Sequence, residues 1–141
     1  MNKIFLVVTA IFFANSLSAA TFEVEMLNRL GKESMVYSQS VVNIQSGDTV
    51  KWLATTKGHN VQFLSVPEGV GAFRSKLNVD TEYTFTVPGI YLYQCTPHKN
   101  MGMIAVVVVD GNKDNLNAIT SARVAGKSKQ RLAKIIETLS S

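Results

Sequence analysis

Apolar and polar positions alternate with period two in several short stretches between Thr21 and Asp110. Phe22, Val24 and Met26 are separated by Glu23 and Glu25. Val50, Trp52 and Ala54 are separated by Lys51 and Leu53, a less clean case, and Tyr83, Phe85 and Val87 by Thr84 and Thr86. Such alternation turns one face of a strand to a core and the other to water. Ile90–Gln94 follows a Pro88-Gly89 turn, and Ile104–Val109 is continuously apolar, as a central strand buried on both faces requires. Ser46-Gly47-Asp48, Lys57-Gly58 and Pro67-Glu68-Gly69 mark further turns. Short strands at this spacing predict an antiparallel sandwich or barrel.

Beyond Gly111 the period changes. Leu132, Ile135, Ile136 and Leu139 recur at helical spacing, with Ser128 as the expected N-cap. Asn112 or Asp114 is the expected cap of a shorter helix carrying Leu116 and Ile119. Two helices covering one side of the sandwich are therefore expected, within one domain over residues 21–141.

The first twenty residues follow a different logic. Lys3 precedes an apolar run from Ile4 to Ala14, and Ser18, Ala19 and Ala20 fit a cleavage site, so residues 1–20 are expected to be a signal peptide. The run is shorter than the roughly 20 apolar residues a membrane span needs. No cysteine lies there to carry a lipid, so a soluble exported chain starting at or near Thr21 is expected, with no membrane anchor. Losing Lys3 lowers the basic count from 14 to 13 against 10 acidic residues, a net charge of about +3. That excess can steer an acidic partner but is far from the dense basic stripe of a nucleic-acid binder.

Export makes the cysteine usage informative. Cys95 is the single cysteine and has no partner for an internal disulfide. Taken alone, it is a small buried hydrophobe, and a lone His or Met is ordinary packing. Spacing changes that. Cys95, His98 and Met103 form C-x2-H-x4-M across one tight connection between two strands. The only other histidine, His59, ends a strand region after Gly58. Two imidazoles, a thiolate and a thioether make a blue-copper donor set. Zinc accepts the first three, but structural zinc favours further Cys or His over a thioether. Met101 also lies nearby; Met103 fits the longer spacing and is preferred.

Ser46-Gly47-Asp48-Thr49-Val50, Lys57-Gly58-His59-Asn60-Val61, Cys95-Thr96-Pro97-His98 and Met101-Gly102-Met103 together resemble the pseudoazurin family of small periplasmic blue-copper proteins. The resemblance extends to the Glu23–Asn28 strand and the two-helix tail. It implies a mainly β, cupredoxin-like eight-stranded Greek-key sandwich with two C-terminal helices. It implies one copper ion with ligands His59, Cys95, His98 and Met103. It also implies that the Asn60 backbone N–H points at the Cys95 sulfur while its side chain ties the two ligand loops together. Electrons would pass through the exposed edge of His98, within an apolar patch of Met35, Pro97 and Met101. Lys57, and less directly Arg29 and Lys76, would form a basic ring. The implied function is one-electron transport in the periplasm by a monomer. The implied acceptor is a copper nitrite reductase or another denitrification enzyme, and the donor a cytochrome or membrane complex. Two positions depart from the family: Gln94 stands where Lys is frequent, and Lys99 where an aromatic is common. Two other classes compete. A Cys95 nucleophile with a His base leaves Met103 and the second histidine unexplained and finds no third group to orient the base. A copper-delivery protein would display exposed Met or Cys clusters rather than donors in a compact turn.

Overall fold

The structure is a computed structural model that describes residues 18–141. The signal peptide expected over residues 1–20 therefore lies, up to residue 17, outside the described residues. Eight strands follow: β1 (Thr21–Leu30), β2 (Glu33–Tyr37), β3 (Val41–Ile44), β4 (Thr49–Leu53), β5 (Gln62–Ser65), β6 (Thr81–Thr84), β7 (Gly89–Gln94) and β8 (Ile104–Val109). Two helices, α1 (Leu116–Thr120) and α2 (Ser128–Ser140), close the chain. No helix among the described residues is long and apolar enough to cross a membrane.

The strands form two four-stranded sheets, ordered β2-β1-β4-β6 and β3-β8-β7-β5. Every connection from β2 to β7 passes from one sheet to the other. Two of the pairings, β1 with β4 and β3 with β8, are parallel, so the sandwich is mixed rather than purely antiparallel.

Side-chain alternation divides the interior into two layers. Between the sheets lie Val24, Met26, Val50, Trp52, Phe85, Tyr91, Tyr93, Ala105 and Val107. The opposite faces of β7 and β8 send Ile90, Leu92, Ile104, Val106 and Val108 against Ile119, Leu132, Ile135 and Leu139 of the helices. The unbroken apolar run of β8 follows from this, since both its faces are covered. Without the tail, one face of the β3-β8-β7-β5 sheet would be exposed to water.

Several elements depart from the sequence expectations. β6 ends at Thr84, although Phe85 continues its direction by donating from N–H to the Asp48 carbonyl. The N-cap of α2 is Lys127, and Ser128 turns inward instead. α1 is capped by Asn115, whose side-chain oxygen accepts from Ile90 N–H and whose amide donates to Ile90 O. Asn112 and Asp114, the expected caps, bond to each other in the preceding turn. His59 does not end a strand: β4 stops at Leu53, where Asp80 accepts the next N–H, and His59 follows in the β4–β5 loop.

Candidate metal centre

The C-terminal end of β7 and the start of β8 lie side by side, with Cys95 N–H donating to Met103 O at 3.0 Å. Between them the chain makes a single 3-10 turn, Thr96–His98, opened by Pro97. Proline fixes φ and brings no N–H, which suits the first position of a turn. His98 N–H closes the turn on Cys95 O at 3.2 Å, and His98 O accepts from Met101 N–H at 2.9 Å. Cys95 comes directly after β7 and Met103 directly before β8, each in step with the strand residues that face the inter-sheet core, and both are fully buried.

His59 comes from the other sheet's side. Gly58 has φ +97, a left-handed conformation that glycine adopts without cost. Its N–H donates to Asn78 Oδ1, and Asn78 N–H returns to His59 O at 3.1 Å. The loop so fixed aims His59 Nδ1 at Cys95 Sγ, 3.7 Å away, while His98 Nδ1 lies 3.5 Å from the same sulfur. The donor atoms of all three residues lie within 4.8 Å of one another. These distances fit a shared ion. Bonds of about 2.0–2.1 Å to nitrogen and about 2.3 Å to sulfur, opened to roughly 110–120°, place nitrogen and sulfur about 3.6–3.8 Å apart.

Protonation favours the same use. Burial lowers the pKa of His59, and neighbouring His98 lowers it further; burial lowers that of His98 as well. Both shifts favour the neutral imidazole, which carries a free lone pair. Burial pushes the Cys95 thiol up, while the backbone N–H groups of Asn60 and His98 pull it partly back. Those same N–H groups are placed to stabilise a thiolate once a cation replaces the thiol proton.

Asn60 joins the His59 loop to the Cys95–His98 turn. Its Oδ1 accepts from Thr96 N–H at 2.9 Å and from the Thr96 hydroxyl at 3.1 Å, and its own carbonyl accepts from the Tyr37 hydroxyl at 2.7 Å. Sequence analysis missed Asn28, whose Oδ1 lies 2.8 Å from His59 Nε2. Bonds of this kind orient a ligating imidazole. Asn28→Ala is expected to weaken copper binding about 10–100-fold, read by competition with a chelator. An affinity within about twofold of the parent would mean that the loop alone orients His59.

The surroundings sort as follows. His59 is sealed inside, whereas His98 keeps an exposed edge. Pro97 is exposed and Met101 is 45% exposed, while Met35 is half-buried against the inter-sheet core with φ 53. Met101 lines a surface hollow with Lys32 and Ser34 of the β1–β2 hairpin and Lys127 and Arg131 beside it. Lys57, Arg29, Lys76 and Lys99 are all exposed. Lys32 and Lys127 were not anticipated, because they reach Met101 from distant segments. Gln94 is nine-tenths buried and donates to Gln62 Oε1, so it is largely withdrawn from the surface.

Residues 24–110 match the copper binding proteins of the plastocyanin/azurin family. The chain belongs to that family: it is a cupredoxin, a copper-binding electron carrier. Within it, the chain is similar to pseudoazurins. It is 40% identical over 116 residues to the pseudoazurin of Paracoccus pantotrophus, covering 81% of this chain and 80% of that one. It is 36% identical over 127 residues to that of Methylorubrum extorquens, covering 87% and 86%. A solved pseudoazurin structure from Sinorhizobium superposes with TM-score 0.82 at 38% identity, covering 86% of this chain and 98% of that one.

Proposed function

We propose that the chain is a periplasmic, monomeric one-electron carrier holding a single copper ion through His59, Cys95, His98 and Met103. The convergence of two imidazole nitrogens on one buried sulfur, with a thioether in the same packed cluster, carries this proposal. Copper bound there supplies the Cu(I)/Cu(II) couple. The chain does the rest. Cys95 offers a thiolate, His59 and His98 offer neutral Nδ1 atoms, and Met103 offers a weak soft donor from the protein interior. Asn60 and Asn28 hold the loops and the His59 ring so that little rearranges between oxidation states. A mature start near Thr21 coincides with the first residue of β1.

His98 is the ligand with an exposed edge, so electrons enter and leave there. Pro97 and Met101 offer apolar contact around it, and Met35 supports that patch from the sheet. Lys57 stands beside it, since Gly58 packs next to the His98 ring. Arg29, Lys76, Lys99, Lys32 and Lys127 extend the positive charge. This surface suits an acidic redox partner: a copper nitrite reductase or another denitrification enzyme as acceptor, and a cytochrome or membrane complex as donor. Small transient interfaces of this kind gain on-rate from charge more than affinity. The second-order rate of electron transfer to copper nitrite reductase, followed by stopped flow, is expected to fall as ionic strength rises. Exposed charges are screened beyond about 8 Å at 0.15 M salt. A rate independent of salt would contradict the role given to the basic ring.

A further inference from the structure

The loop that carries His98 and Met103 is held from two sides, and the outer side belongs to the C-terminal tail. Backbone carbonyls of the loop divide by where their donors come from. Cys95 O accepts from His98 N–H, His98 O from Met101 N–H, Gly102 O from Ile104 N–H and Met103 O from Cys95 N–H. These bonds are internal to the loop and its strands. The two carbonyls directly after His98 have no such partner. Lys99 O accepts instead from the Ser128 hydroxyl, and Asn100 O from Lys127 N–H at 2.9 Å. Ser128 is fully buried, so its hydroxyl has left water to make this bond.

The approach is close enough to exclude side chains. Gly126 has φ +57, and a Cβ there would stand 2.3 Å from Asn100 O. Gly102 faces the tail in turn: a Cβ there would stand 3.5 Å from Lys127 Cβ and 3.6 Å from Arg131 Nε. A serine expected to cap α2 is thus diverted to a carbonyl 29 residues earlier in the chain.

We propose that Gly126, Lys127 and Ser128 form a clamp that positions the His98–Met103 arm of the metal centre. The tail then governs how His98 and Met103 sit relative to Cys95, in addition to covering the sheet. The inference rests on the copper site proposed above, and Ser128 and Gly126 act in it as positioning residues.

The test uses the full mature chain in three variants: Ser128→Ala, Gly126→Ala and, as a control, Leu139→Ala. Leu139 is buried at the far end of α2, so its truncation loosens the tail without touching the loop. In metal-free protein, Ser128→Ala is expected to speed amide exchange at Lys127 and Met103 by about tenfold relative to the control. After Cu(II) addition, Ser128→Ala and Gly126→Ala are expected to change the relative heights of the visible thiolate-to-copper bands, while Leu139→Ala keeps those of the parent. Parental bands in Ser128→Ala or in Gly126→Ala overturn the clamp, whatever the exchange shows. The same band change in Leu139→Ala also overturns it, because the effect then follows tail stability. A parent chain without such bands removes the copper proposal itself, and the clamp with it.

Discussion

A Cys95→Ser chain is expected to fold like the parent without metal and to gain no stability from copper. Cys95 sits at the end of β7, fully buried, with Gly58 O as a weak acceptor at 3.9 Å. A serine hydroxyl is slightly smaller and can donate to the same carbonyl, so the fold loses little. The metal loses its only anionic donor among the four proposed ligands. For the parent, copper at about a thousandfold excess over its dissociation constant adds about 4 kcal/mol of stability. In a domain of this size that raises the unfolding midpoint by on the order of 10 °C. Thermal unfolding of both chains with and without Cu(II) reads the difference. An equal copper-dependent rise in Cys95→Ser would place the bound metal elsewhere.

Trp52→Ala is expected to cost about 3–5 kcal/mol, the range for removing a large buried aromatic side chain. Trp52 is fully buried in β4, and its ring meets Tyr93 edge-on at 5.2 Å, with Phe85 at 6.4 Å and Phe73 at 6.5 Å. Total stabilities of about 5–15 kcal/mol are typical of native proteins, so the loss is a large share of the whole. Tyr93 lies two residues before Cys95, and the void left by the indole lies under the strand that delivers the thiol. Urea unfolding of the metal-free chain measures the cost. A loss under about 1 kcal/mol would show that the aromatic cluster closes over the gap.

In the cluster of His59, Cys95 and His98, the last two were legible because chemistry and spacing coincide within one connection. Cys95, His98 and Met103 are neighbours in sequence, so the turn that joins them in space needs no long-range knowledge. His59 was legible for a different reason: the chain has only two histidines, so the missing imidazole had one source. Its placement at a strand end was wrong, because the bonds that fold its loop come from Asn78 and Asp80, some twenty residues on. The core strands β7 and β8 stood out through their apolar runs. β2 and β5 did not. Met35 breaks the alternation of β2 with a positive φ, and β5 pairs irregularly with β7 between Phe63 and Ser65.

The same limit explains the caps. Ser128 has the right chemistry for an N-cap, and only the position of Lys99 O shows why its hydroxyl turns away. Asn115 is spent on both backbone groups of Ile90, a pairing invisible in the local pattern. Asn28 is an exposed polar residue on β1, and nothing near it in sequence points to His59. Positions fixed by contacts between distant segments are the ones that periodicity and motif spacing miss.

The central claim is that Cys95, with two histidines and Met103, binds copper through its thiolate. The most direct measurement is the absorption spectrum of the purified metal-free chain during Cu(II) titration. An intense visible thiolate-to-copper band is expected, saturating at one equivalent and absent from Cys95→Ser. A chain that stays colourless with copper in excess, or that holds zinc which copper cannot displace, would contradict it.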